Sequence, residues 1–167
     1  MPLYVKAYRQ ISELEDAERD PDGRPSDPTA WYAHPATVEF TEAGWPGYTQ
    51  GVSPGAAYGF TESWGFKVGT YGHFNQWRRV LTTMVAGCPE AWKDRPQPFA
   101  ELFGFSDSDG LISGPVAKRI AADFVDFQPQ AEAFAKTNID GKYWLDYYNK
   151  WRRVFQIAAD GGVVEFE

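Results

Sequence analysis

Asp107 and Asp109, in the run Phe-Ser-Asp-Ser-Asp-Gly at 105–110, and His73 are the residues best suited to acid–base chemistry in this chain. A carboxylate that orients an imidazole lets it move a proton near neutral pH, so His73 with Asp107 or Asp109 defines a hydrolase reading. The same residues have a plainer use, in which Ser and Asp shape a turn and cap the helix that follows. A calcium loop does not fit. With Gly110 as its obligatory glycine, the first and last ligand positions fall on Phe105 and Val116, neither of them a carboxylate. The chain holds only His34, His73 and the single Cys88, which leaves no disulfide within the chain and no cysteine-based zinc cluster. No phosphate-binding loop, dinucleotide fingerprint, nucleophile elbow or His-Glu-x-x-His motif occurs. We therefore expect no metal and no cofactor.

A second chemistry is anion capture by arginine. The heptapeptide FNQWRRV at 74–80 has a near-copy, YNKWRRV, at 148–154, and each runs on to a glycine at the same spacing, Gly87 and Gly161. At about 100° per residue, Phe74, Trp77, Val80, Leu81, Met84 and Val85 share one arc. Arg78 lies at its edge and Arg79 points away. The second copy repeats the arrangement, with Arg152 at the edge and Arg153 outside, while Ile157 on the far face implies a helix buried on two sides. The Trp and Val of each block belong to a core. Arg78 and Arg152 either lay their stems over aromatic rings or reach one pocket and hold a carboxylate or phosphate in a bidentate grip.

The third chemistry is stacking. Between residues 43 and 66 glycine alternates with aromatics and no single periodicity holds, which marks a long loop region of the kind that lines binding sites. Trp45, Tyr48, Tyr58 and Trp64 can there stack a small planar or nucleotide-like ligand whose negative charge meets Arg78 or Arg152. This non-catalytic binding protein is the leading expectation. Its alternatives are a protein-interaction or inhibitor module acting through an acidic N-terminal loop, and the hydrolase.

The elements that must position these residues follow from the pattern. PLYVKAYRQI reads as a first strand, residues 11–30 as an acidic surface loop punctuated by Pro and Gly, ATVEFTE at 36–42 as a second strand and SWGFKVGT as a third. From Tyr71 to about residue 160 the chain turns mainly helical. One helix ends on Gly87, and PQPFAELFGF is short and bounded by prolines. Another starts near Pro115 with a stripe of Val116, Ile120, Phe124 and Phe127. A long last helix is capped by Asp140 and closed by Gly161, and GVVEF returns as a strand. The prediction is an α+β fold, a small antiparallel sheet against about four helices, in a single domain over 1–167.

Composition sets the boundaries. Seven Trp, nine Tyr and twelve Phe give so small a chain a large buried area from few residues. The net charge is −7, and the first fifty residues hold nine acids against four bases. Such a surface disfavours direct nucleic-acid binding, which needs a basic face. No signal-peptide core and no run of about 18 apolar residues occurs, so we expect a cytoplasmic protein without a membrane span. Its partner would be a small-molecule ligand or another protein.

FSDSDGLISGPVAKRIAADF resembles the FSD-x-x-G-x-IG…AKLAxDF segment of a family of uncharacterised proteins from bacteria and their phages. VGTYGHFNQWRR is similar to that family's GSYSGYNxWR block, and FQIAADGGVVEF to its closing helix and strand. The resemblance spans about Val68 to Phe166. It departs from the pattern at Ser108-Asp109, where Cys-Glu is expected, and at Ser113, which interrupts the Ile-Gly pair. It implies kinship, with a phage-infected host cell as one setting, and assigns no activity. If the shared blocks mark a site, the matching positions are Tyr71, Asn75, Arg78, Ser106, Asp107 and Gly110.

Overall fold

Alternation builds the first strand, β1 (Pro2–Arg9): Leu3, Val5 and Ala7 are buried while Tyr4 and Lys6 stay outside. It pairs antiparallel with β5 (Glu62–Thr70) on one side and with the closing strand β7 (Val163–Phe166) on the other. The strand β6 (Gly110–Ser113) adds beyond β7, giving the order β5-β1-β7-β6. The computed structural model describes residues 1–90, 93 and 98–167. Within them the fold is α+β in a single domain, with two antiparallel sheets and six helices.

Helices α2 (Tyr71–Ala86), α4 (Gly114–Asp126) and α6 (Gly141–Ala159) cover one face of the four-stranded sheet, and α5 (Gln128–Lys136) packs against these helices. Trp151 of α6 is the centre of that core and is fully buried. Phe74, Trp77 and Phe166 stack on it at centroid distances of 5.0, 5.7 and 5.7 Å. Burying each large apolar side chain contributes roughly 1.5–3 kcal/mol, and well-placed ring pairs add about 0.5–1.5 kcal/mol. Ile157, on the other side of α6, is buried as its position on the wheel requires.

The opposite face of the sheet carries a second core. A small sheet of β2 (Ser12–Glu13), β4 (Ala57–Gly59) and β3 (Trp31–Tyr32) packs there, with Trp31, Val38 and Tyr58 against Tyr8, Leu111 and Val163. So the acidic segment 11–30 starts in a strand, and the glycine-aromatic region 43–66 supplies β4 and the beginning of β5.

Residues 36–42 correct the sequence reading. They form α1 (Pro35–Gly44), not a strand. Alternation would turn Val38 and Phe40 to one side, yet Val38 is 3% exposed and Phe40 48%. Pro35 occupies the first turn, where its missing N–H costs nothing, and Val38 and Thr41, three residues apart, are the buried pair. Thr41 explains why a helix is needed here: Leu111 N–H donates to Thr41 Oγ1 at 3.1 Å and Ser113 N–H to the Tyr48 carbonyl at 2.7 Å. The outer edge of β6 is thereby closed to further pairing. Of the proline-bounded segment 96–105, residues 96 and 97 lie outside the described ones, and the rest contains the one-turn helix α3 (Ala100–Phe103).

Candidate functional site

The structure brings Asn75, Arg78 and Asp107 together. Arg78 is 8% exposed, and its Nη1 donates to the carbonyls of Phe105 at 2.6 Å and Leu102 at 3.2 Å. Its Nη2 donates to Asn75 Oδ1, and Asn75 Nδ2 donates in turn to Asp107 Oδ2 at 3.0 Å. The guanidinium lies 4.2 Å from the centre of the Phe74 ring. Burial pulls its pKa down to about 10, against the opposing pull of Asp107. A charge that gives its donors to carbonyls at the end of α3 is committed to the protein. The hollow that Arg78 lines with Asn75, Thr82, Glu90 and Phe103 is small at about 290 Å³. Ser106, also buried, accepts from the Ser108 N–H at 3.1 Å, the turn-forming role open to it from the sequence.

Arg152 is elsewhere. Its Nη1 donates to Gln128 Oε1 at 2.9 Å at the start of α5. The two WRRV blocks meet through their tryptophans, Trp77 on Trp151, and their arginines share no cavity among the described residues. Arg153 spreads over Trp64 at 4.3 Å. The repeat solves one packing problem twice.

The four loop aromatics are likewise dispersed. Trp45 Nε1 donates to the Gly104 carbonyl at 2.6 Å and Tyr48 OH to the Glu101 carbonyl at 2.8 Å, both rings resting on Phe105. Tyr58 is buried in the second core, where its hydroxyl accepts from Ser53 N–H at 2.8 Å. Trp64 lies on β5 beneath Arg153, and Tyr71 packs at the margin of the main core. They do not form one stacking rim.

His73 is held by its own helix end. Its N–H donates to Thr70 Oγ1 at 3.2 Å, and Thr70 N–H donates back to His73 Nδ1 at 3.4 Å, a reciprocal cap. Among the described residues no hydrogen bond or ion pair joins His73 to Asp107 or Asp109, and no group of three or more His, Cys, Asp or Glu side chains is placed to hold a metal ion. No described helix is long and apolar enough to cross a membrane. In the acidic segment, Glu13, Glu15, Asp16, Glu18 and Asp27 surround an open hollow of about 710 Å³.

A further concavity among the described residues is one the sequence did not single out. It lies between α2 and the α5–α6 turn, has a volume of about 820 Å³, and is lined by Trp77, Val80, Phe134, Tyr143, Trp144 and Tyr147, with His73, Gln76, Asn138 and Asp140 as polar neighbours. Trp77 and Trp144 lie nearly parallel, 6.3 Å apart, and Phe134 meets Trp144 edge-on at 5.2 Å. Tyr143 and Ile139 stand exposed beside it. The available signal was Trp144, seven residues before Trp151 and hence on the same face of its helix. No protein-family model, curated protein or solved structure matches this chain.

Proposed function

We propose that the protein is a non-catalytic binding protein that holds a small planar ligand in the α2–α6 groove. The observation that carries this reading is the aromatic lining itself: a hollow of about 820 Å³ beside the paired Trp77 and Trp144 rings. That size and mix, apolar walls with a few polar groups at the margin, is what small-molecule sites have. The stacking role expected of the 43–66 loop passes to Trp77, Trp144, Tyr143 and Tyr147. Arg78 and Arg152 have no part in it, since neither lines the groove.

The test is a titration with planar heterocycles, beginning with indole and adenine, followed by the indole N–H resonances. Trp77 and Trp144 should move, while Trp31 and Trp45, which lie outside the groove lining, should not. Val80→Trp, which fills the groove, should abolish the shifts in a folded protein. Shifts confined to Trp31 and Trp45, or retained in Val80→Trp, would sink the reading.

The ring of carboxylates at Glu13–Glu18 favours a second reading, capture of a basic protein partner. Reversing the charges at Glu13, Asp16 and Glu18 should then weaken capture of that partner at low salt; unchanged capture counts against it.

A further inference from the structure

We infer that the α2–α6 groove selects an organic cation, an apolar or aromatic body bearing an alkylated ammonium group. This rests on the groove reading and adds the charge of the ligand. The walls take in Trp77 and Trp144, 7% and 8% exposed, and the more open rings of Phe134, Tyr143 and Tyr147, and the carboxylate beside them is Asp140. Among the described residues no lysine or arginine lines the hollow; Lys136 and Lys142 flank the turn in sequence and stay outside it, and Lys150 lies over the Tyr147 ring.

Asp140 is the informative residue. It occupies the cap position of α6, where an aspartate ordinarily accepts from the first-turn N–H groups, and its side chain makes no such bond. Among the described residues its carboxylate has no hydrogen bond and no ion pair. An unpaired carboxylate therefore lines the groove. It outweighs the partial positive charge of the α6 N-terminus, equivalent to about half an elementary charge.

The rings supply the other half of the argument. Cations already use aromatic faces in this protein, with Arg78 at 4.2 Å from Phe74, Arg153 at 4.3 Å from Trp64 and Lys150 at 5.2 Å from Tyr147. Tyr143, 74% exposed, has neither a ring nor a cation against it among the described residues. An alkylated ammonium keeps its charge, sheds water cheaply and lies well against such faces. A carboxylate or phosphate would meet Asp140, with His73, Gln76 and Asn138 as the polar partners among the described residues.

The experiment compares three probes of one shape: meta-hydroxyphenyltrimethylammonium, its neutral isostere meta-tert-butylphenol, and meta-hydroxybenzenesulfonate. Affinities are measured by calorimetry and by the Trp77 and Trp144 indole resonances. The cation should bind about tenfold or more tighter than the neutral isostere, and the sulfonate weakest. Asp140→Asn, a change at an exposed position, should remove most of that preference and leave the affinity for tert-butylphenol unchanged. Equal affinities, a preference for the sulfonate, or a cation preference that survives Asp140→Asn would overturn the charge inference and leave the groove reading standing. Failure of all three probes to move Trp77 or Trp144 would overturn both.

Discussion

Arg78 of α2 donates to the carbonyl oxygen of Phe105 at 2.6 Å, across 27 residues of chain, from beneath the surface. That bond, with the one to Leu102, joins the first long helix to the turn that precedes β6. Without Arg78 the Phe105 carbonyl loses its donor, while Leu102 still accepts from the Phe105 N–H at 3.3 Å, and a buried carbonyl left without a donor costs about 1–3 kcal/mol. With the loss of the packed stem, Arg78→Ala should destabilise the protein by about 2–4 kcal/mol. Arg78→Lys keeps the charge but loses the planar fork and should recover only part of that. Urea unfolding of the two variants tests this; an Arg78→Ala protein as stable as its parent would refute the structural role.

Glu165 gives the protein a pH dependence. Trp31 Nε1 donates to its Oε2 at 2.9 Å, joining the second sheet to β7. Burial, aided by the charge of Glu167 and opposed by Trp31 and Lys6, raises its carboxyl to about 7. The fold thus favours the protonated form. The stability that goes with protonation is complete below the ordinary glutamate range and is lost as pH rises through about 7. Glu165→Gln should be more stable than the parent at pH 8, by up to roughly 3 kcal/mol, with the gap closing at about pH 4. Unfolding free energies at the two pH values decide it, and a gap independent of pH would contradict the assignment.

Thr41→Val should unlock the edge of β6. The substitution keeps the shape and removes the acceptor of the Leu111 N–H. We expect a loss of about 1–2 kcal/mol and faster hydrogen exchange at the Leu111 amide in particular. An unchanged exchange rate there would show that Thr41 does not close the edge.

Gly141 marks where α5 and α6 approach too closely for a side chain. A Cβ at this position would run into the Ala135 carbonyl, a backbone atom that cannot rotate away. Gly141→Ala should cost about 1–3 kcal/mol and spread the turn that forms one wall of the groove. A thermal melt of the variant, with the Trp144 indole resonance as a local reporter, tests both expectations.

Much of the architecture was legible because it rests on local periodicity. The 3.6-residue stripes of α2, α4 and α6 and the glycines that end α2 and α6 are written in the chain and appear where expected. Residues 36–42 were misread because Ala-Thr-Val-Glu-Phe-Thr-Glu satisfies a two-residue and a helical spacing equally well. In the helix that forms, Thr41 faces the edge of β6 and accepts from the Leu111 N–H.

The candidate site divides along the same line. The sequence by itself determined that Trp77 and Trp151 face a core, that Arg78 lies at the border of that face, and that no metal or cofactor motif is present. Only the tertiary structure decided which way Arg78 turns, since its carbonyl partners at Leu102 and Phe105 lie 24 and 27 residues away. It also put Tyr58 and Trp64 apart from the Trp45–Tyr48 pair on Phe105 and brought Trp77 beside Trp144, 67 residues on. Periodicity fixes the face of an element on which a side chain lies. The neighbour across from that face is set by how the elements pack, and a binding groove is made of such neighbours.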